Sequence, residues 1–197
     1  PVYFPISQVL MMGIPTILLI LFAQVIFTNM KTSFKDIAYT FFGMAYVIGC
    51  IAFIALLRGL DNGRILVWYA IIAAWGTDTF AYLIGRKFGK HKFSSVSPNK
   101  SIEGCIAGTV SSVILCLLLA FIMNSTTSVD VSYVAFGIAG AILSLIGQLG
   151  DFSASAIKRS FGIKDYSDLI PGHGGILDRF DSVIFVSLGL SLILGLL

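Results

Sequence analysis

The sequence predicts an all-α fold, a polytopic integral membrane helical bundle of about six transmembrane helices, and three observations predict it. Charged residues make up only 12% of the chain, against about 25% in an ordinary soluble domain, while 57% is hydrophobic. Mean hydropathy is +0.94. The apolar residues gather in runs of about 20, the length that crosses a hydrocarbon core about 30 Å thick at 1.5 Å per residue.

The first run, 8–27, has no ionisable residue and is broken early by Gly13 and Pro15, so it reads as a plain spanning helix with a kink. Lys31, Lys35 and Asp36 follow, and then a second uncharged run, 37–57. Together these make residues 1–64 a membrane scaffold of two transmembrane helices. Residues 65–197 read as a catalytic membrane domain of four transmembrane helices with two polar loops on the cytoplasmic side.

The third run, 65–85, differs from the first two because Asp78 lies inside it, about seven residues or roughly 10 Å from its exit. An ionisable group at that depth faces a polar cavity or a partner cation. Asp78, Tyr82 and Arg86 recur every four residues and share one helical face, where the bland alternative is a tether from Asp78 to Arg86. A basic loop containing Arg86, Lys87, Lys90, His91, Lys92, Ser97 and Lys100 comes next, and then the fourth run, 106–123. Gly104 and Gly108 have the small-xxx-small spacing that lets helices approach closely. The fifth run begins near Tyr133 and continues past Asp151, placing Gln148, Asp151, Ser155 and Lys158 or Arg159 along one face. The sixth runs from 177 to 197.

Charge fixes the orientation. Of thirteen Lys and Arg, eleven fall in the loops near Lys31, Arg86 to Lys100, and Lys158 to Arg179, which alternate onto one side of the membrane. The positive-inside rule puts that side in the cytoplasm, making this a multi-pass protein of the cell (inner) membrane with its polar loops inside. A net charge of +3 with the basic residues in short loops makes nucleic acid a poor partner, whereas lipid headgroups and nucleotide phosphates suit it. Cys50, Cys105 and Cys116 are isolated in apolar runs and read as packing residues. No basic n-region precedes the first run, so no cleavable signal peptide is expected.

Chemistry concentrates between Gly147 and Asp181, where five of the ten acidic residues stand among Lys158, Arg159, Lys164, His173 and Arg179. Gly172, Gly174 and Gly175 permit positive φ and can turn backbone N–H groups toward an anion. With a helix starting near Leu177, Asp178 and Asp181 project from its first turn, where the helix dipole favours ionised carboxylates. Carboxylates among cations suggest a metal-phosphate site. No Gly-x-Gly-x-x-Gly, Gly-x-x-x-x-Gly-Lys-Ser/Thr or His-Glu-x-x-His occurs, which excludes the ordinary dinucleotide, nucleoside-triphosphatase and zinc-protease readings.

The order Ser155-x-Ile157-Lys158-Arg159, four residues, Lys164-Asp165, then Pro171-x-His173-Gly174-Gly175-Ile176-x-Asp178-Arg179-x-Asp181 resembles the defining motif of the CDP-diacylglycerol synthases, also called phosphatidate cytidylyltransferases. A second block, from Asp78 to Tyr82 through Gly85, Arg86 and Gly89 to Ser97, Pro98, Lys100, Ser101, Glu103 and Gly104, is similar to another conserved stretch of that family. The resemblance extends from Trp75 to Asp181. One departure is Ala154, where many members carry an acid directly before the motif serine.

The resemblance implies metal-dependent transfer of a cytidylyl group from CTP to phosphatidic acid, giving CDP-diacylglycerol and pyrophosphate for phospholipid biosynthesis. It implies metal ions held by aspartates at the motif positions, with Mg²⁺ as the leading ion, since Mg²⁺ takes oxygen ligands from one or two carboxylates plus substrate phosphates. A second metal of open identity is compatible with the same acids. Asp151, Asp178 and Asp181 are the expected metal ligands; Asp151, Asp178, Lys158, Arg159 and His173 form the expected catalytic set. Lys164, Asp165, Gly174, Gly175, Arg179, Arg86, Lys87, Ser97, Lys100, Glu103 and Asp78 are expected to contact substrate or position what does, with Glu103 orienting Lys100. A bland alternative for His173 is a structural bond to a loop carbonyl. CTP, phosphatidic acid and membrane lipids are the expected partners, and a homodimer is compatible with the reading. Family members carry further apolar spans ahead of the position of Pro1, so part of the family scaffold is expected there. Two competing functions are a CTP-dependent lipid or polyprenol kinase, which would release CDP, and a membrane transporter, which would need polar residues at several depths.

Overall fold

The computed structural model describes residues 6–28, 31–93, 97, 99–127, 129–169 and 174–196, with side chains described from Met12 onward except at Cys50. Among the described residues the regular structure is helical: α1 (Ile6–Phe27), α2 (Phe34–Met44), a π-helical turn (Ala45–Gly49), α3 (Cys50–Gly59), α4 (Gly63–Phe88), α5 (Ile102–Thr126), α6 (Tyr133–Ser160) and α7 (Leu177–Ile193). Four segments, Phe34–Gly59, Gly63–Phe88, Ile102–Thr126 and Tyr133–Ser160, are long and apolar enough to cross a membrane. The chain is therefore a helical membrane protein, as its composition requires. α7, with 17 residues, extends about 26 Å at 1.5 Å per residue.

Two compact units divide the chain, Pro1–Ala52 and Phe53–Leu197. In the first, Ser33 caps α2 reciprocally with Asp36: the Asp36 N–H donates to Ser33 Oγ, and the Ser33 N–H donates to Asp36 Oδ2 at 2.8 Å. The second unit holds the core, made of Leu57, Tyr69, Ala70, Ala73, Ala74, Cys116, Leu143, Val183, Val186 and Leu190. Small residues predominate on the contact faces because α4, α5, α6 and α7 approach closely. A Cβ added at Gly108 would lie 2.7 Å from the Thr77 carbonyl oxygen, and one at Gly104 would lie 2.6 Å from that of Ala81. The small-xxx-small pair is thus a seam against α4. On α6, Gly147 faces Val186 and Gly150 faces the Phe185 ring, so α7 lies close against the stretch that ends in Asp151.

Polar groups inside this bundle satisfy one another. Thr77 donates to Ser144 at 2.8 Å, Ser144 donates to Thr109 at 3.1 Å, and Gln148 Nε2 donates to Thr109 at 3.0 Å and to the Cys105 carbonyl at 3.2 Å. The network ties α4, α5 and α6 together within a turn of Asp78 and Asp151. Buried polar groups in an apolar medium are costly unless paired, so it fixes one register of these helices.

α6 runs well beyond its apolar stretch, to Ser160, and α4 continues to Phe88. Both polar ends of the sequence motif therefore begin on helix. Between them, an isolated antiparallel bridge from Lys92 to Ser101, with the Phe93 N–H donating to the Lys100 carbonyl at 3.1 Å, folds the basic loop back toward α5.

Candidate active site

Three helices bring four carboxylates to one end of the second unit. Asp78 comes from α4, Asp151 from α6, and Asp178 and Asp181 from the first turn and a half of α7. They line one cleft of about 450 Å³ together with Trp75, Lys158, Asp165 and Arg179. A second, smaller pocket of about 270 Å³ is lined by Tyr82, Ser97, Asn99, Lys100, Ser101 and Cys105 and shares Asp78 and Asp151 with the cleft. The two carboxylates thus border both compartments.

Each lysine of the site is held by a carboxylate and a ring. Lys158 Nζ donates to Asp178 Oδ1 at 2.6 Å and lies 5.1 Å from the centre of the Tyr166 ring. This pair is closed in, with side-chain exposures of 9% and 6%. The second oxygen of Asp178 accepts from the N–H groups of Tyr166 and Gly175, both at 2.9 Å. Asp178 therefore anchors the loop that precedes its own helix. Lys100 pairs with Asp151 and lies 4.4 Å from the centre of the Phe152 ring, but here the side chains are 24% and 23% exposed. Burial, with the charges of Asp181 and Asp178, pushes the Tyr166 phenol above its ordinary pKa.

Ser182 bridges the other two acids. Its hydroxyl donates to Asp78 Oδ2 at 2.6 Å and its N–H donates to Asp181 Oδ1 at 2.8 Å. Trp75 closes the side of the cleft: its indole N–H donates to the Arg179 carbonyl at 3.2 Å, and its ring lies 5.8 Å from that of Phe180. Gly174, at φ +78°, lies against Asp165, so the loop needs a residue without a side chain there.

The structure thus brings together Asp78, Asp151, Lys158, Asp165, Asp178, Arg179 and Asp181 in the cleft, and Ser97 and Lys100 in the pocket beside it. Of the two basic residues that the α6 face left open, Lys158 is buried in the site, while Arg159 is exposed and donates to the Ile163 carbonyl. Arg86, Lys87 and Lys164 are exposed and line neither compartment. Arg86 bonds to Tyr82 at 3.2 Å, and Asp78 turns to Ser182 across the helix interface instead of to Arg86. Glu103 does not orient Lys100. Its carboxylate meets His91 Nδ1 at 2.6 Å and the N–H groups of Lys90 and His91, because the bridge at Lys92 brings that turn over the start of α5. Gly175 was expected to offer its N–H to a nucleotide, and that N–H is taken by Asp178. His173, with 170–172, lies outside the described residues, as does Pro98.

Ser182, Trp75 and the rings of Phe152 and Tyr166 have no assigned part in the sequence reading. Ser182 had a signal, a hydroxyl directly after the last acid of an apolar helix. Trp75, Phe152 and Tyr166 had none, since an aromatic in a membrane helix or loop is unremarkable until its neighbours are known.

Oxygen donors from several helices facing one cleft have the chemistry of a hard divalent cation. Asp151 and Asp78 lie near enough to Asp181 for their charges to act on it. Among the described residues no three acids, histidines or cysteines are disposed as a ready ligand set, and Asp151 and Asp178 are each paired with a lysine.

Fold and site together define a membrane-embedded helical protein with an acid-and-lysine cleft suited to phosphate chemistry. Residues 2–197 match the cytidylyltransferase family, and the chain belongs to that family. It is similar to the phosphatidate cytidylyltransferase of Staphylococcus haemolyticus, with 38% identity over 183 residues, covering 92% of this chain and 68% of that protein. The phosphatidate cytidylyltransferase of Staphylococcus aureus is 41% identical over 168 residues, 85% of this chain and 62% of its own length. That of Bacillus subtilis is 37% identical over 172 residues, 86% and 62% respectively. The chain spans about two thirds of the length of these relatives.

Proposed function

We propose that this chain carries the machinery for transferring a cytidylyl group from CTP to phosphatidate, forming CDP-diacylglycerol and releasing pyrophosphate. The observation that supports it most is the single cleft, at the end of the helices with the basic loops, where Asp78, Asp151, Asp178 and Asp181 meet Lys158 and Arg179. The names of the relatives point the same way. The positive-inside rule puts this end of the bundle on the cytoplasmic face, where a soluble nucleotide meets a membrane lipid.

In the reaction an oxygen of the lipid phosphate forms a bond to the α-phosphorus of CTP, and the bond from that phosphorus to the α,β-bridging oxygen breaks. Pyrophosphate leaves with the electron pair. The attacking phosphate is already ionised, so no residue needs to remove a proton. What the reaction requires is charge neutralisation and alignment of two anions that repel each other. Lys158 and Arg179 would neutralise the triphosphate, and Lys100 the lipid phosphate. Ser182 fixes Asp78 and Asp181 at one spacing. Asp151, Asp178 and Asp181 would hold Mg²⁺, with Lys100 turning from Asp151 to phosphate as substrates enter while Lys158 keeps its bond to Asp178 and offers its remaining donors. When bound, the ion supplies further neutralisation of phosphate charge.

The test is to incubate the purified protein with CTP and phosphatidate and measure both products. CDP-diacylglycerol and pyrophosphate in equal amounts, absent after chelation and restored by Mg²⁺, is the expected result. Release of CDP with phosphorylation of a lipid acceptor would show a kinase instead.

A further inference from the structure

We propose that the Lys100 pocket and the apolar groove beside it form one site for a diacyl lipid phosphate, while the nucleotide occupies the cleft on the other side of Asp78 and Asp151. This rests on the reading above that the reaction joins a nucleotide to a phospholipid, and it divides the basic residues between the two.

The groove lies between α5 and α6 and measures about 590 Å³. Its walls include Ile106, Leu145 and Leu149, each about 60% exposed. Along α6 it reaches from Leu145 to Ala156, about 16 Å at 1.5 Å per residue, which suits a hydrocarbon chain and not a headgroup. Cys105 lines both groove and pocket, so they are contiguous. At the groove's upper end Phe93 and Phe152 stack at 4.6 Å, and Lys100 sits over the second of these rings. A cation over an aromatic step, with an apolar trough below it, complements an amphiphile with an anionic head.

Lys100 has donors to offer. An ammonium carries three, and Asp151 takes one. Ser97, Asn99 and Ser101 add polar groups, and the pocket sits at the amino end of α5, where the helix dipole favours an anion. The cleft across the acid wall has Lys158 and Arg179 within a more polar lining, as a triphosphate without tails requires. A second apolar groove of about 420 Å³, between α4 and α5, touches that cleft through Trp75 and Thr79. Its contact with the cleft is an indole and a hydroxyl with no cation, so it lacks the headgroup partner that the α5–α6 groove has.

Two measurements on the intact protein in phospholipid nanodiscs test the assignment. In the first, phosphatidate with a photoreactive diazirine in one acyl chain is cross-linked and the labelled peptides are mapped. Labels within 102–109 and 145–156, suppressed by excess unlabelled phosphatidate but not by phosphatidylcholine, are expected. Labels centred on Trp68, Ile72 or Leu118, or labels that phosphatidate does not suppress, overturn the proposal in favour of the other groove or of ordinary annular lipid. This readout needs no turnover. In the second, Ala156→Trp places a ring in the groove from an exposed position, where folding tolerates it. The KM for long-chain phosphatidate is expected to rise about tenfold while that for CTP stays within about twofold; an equal rise in both overturns it. If the unmodified protein makes no CDP-diacylglycerol, the proposed function fails, and the cross-linking pattern still decides where the lipid phosphate binds.

Discussion

The two lysine–aspartate pairs of the site are built alike and sealed differently. Lys158 with Asp178 and Lys100 with Asp151 each place an ammonium between a carboxylate and an aromatic ring. The first is almost wholly buried, and both oxygens of its carboxylate are taken; the second is about a quarter exposed and stands between two compartments. A buried charge cannot lose its partner without a large penalty, whereas a charge that water reaches can. The first pair is therefore a fastening for the loop that leads into α7, and the second is one that water can open.

The largest effect that would break this contrast comes from Asp178→Asn. It leaves the Lys158 ammonium buried without a counter-charge, a loss of about 3 to 5 kcal/mol. Thermal unfolding should begin many degrees lower, with turnover lost as well; an unchanged melting curve would show that the pair is not a fastening. Asp151→Asn should separate the two properties. Turnover is expected to fall about a hundredfold or more, as when a group acting on developing charge is removed, while the melting temperature stays near that of the parent because Lys100 can turn to water. Full pyrophosphate release by this variant would take Asp151 out of the reaction.

Ser182→Ala sharpens the contrast from the other side of the cleft. With Asp78 deprived of its hydroxyl donor, turnover should drop about tenfold, while Ser182→Thr, which keeps the hydroxyl, should restore most of it. Equal loss in both variants would point to packing alone. Smallest is Gly174→Ala, which forces a side chain into left-handed backbone beside Asp165. A destabilisation of about 1 kcal/mol is expected, and a proteolysis assay of the 161–176 loop would detect it.

The fold was largely legible in the chain. Apolar runs of spanning length, separated by charges, admit few alternatives in a bilayer, because backbone groups there must be satisfied within each helix. Gly104 and Gly108 signalled a close helix contact, and Asp78 signalled a polar cavity. The polar ends of α4 and α6 were less legible. α6 carries Lys158 into the site eight residues beyond the Gly150 contact with α7 because the helix continues to Ser160, and the spacing alone did not choose between Lys158 and Arg159 on that face.

Residue types and their spacing alone decided that this is a helical membrane protein and that Asp78, Asp151, Asp178 and Asp181 stand near the ends of its apolar runs beside the basic loops. Only the tertiary structure decided the pairings: Asp78 with Ser182 instead of Arg86, Glu103 with His91 instead of Lys100, and one lysine sealed while the other stays open. The physical reason is that helical periodicity fixes which face a side chain lies on. Which neighbour meets that face depends on how closely helices pack, and here the glycines of α5 and α6 set that distance between segments far apart in the chain.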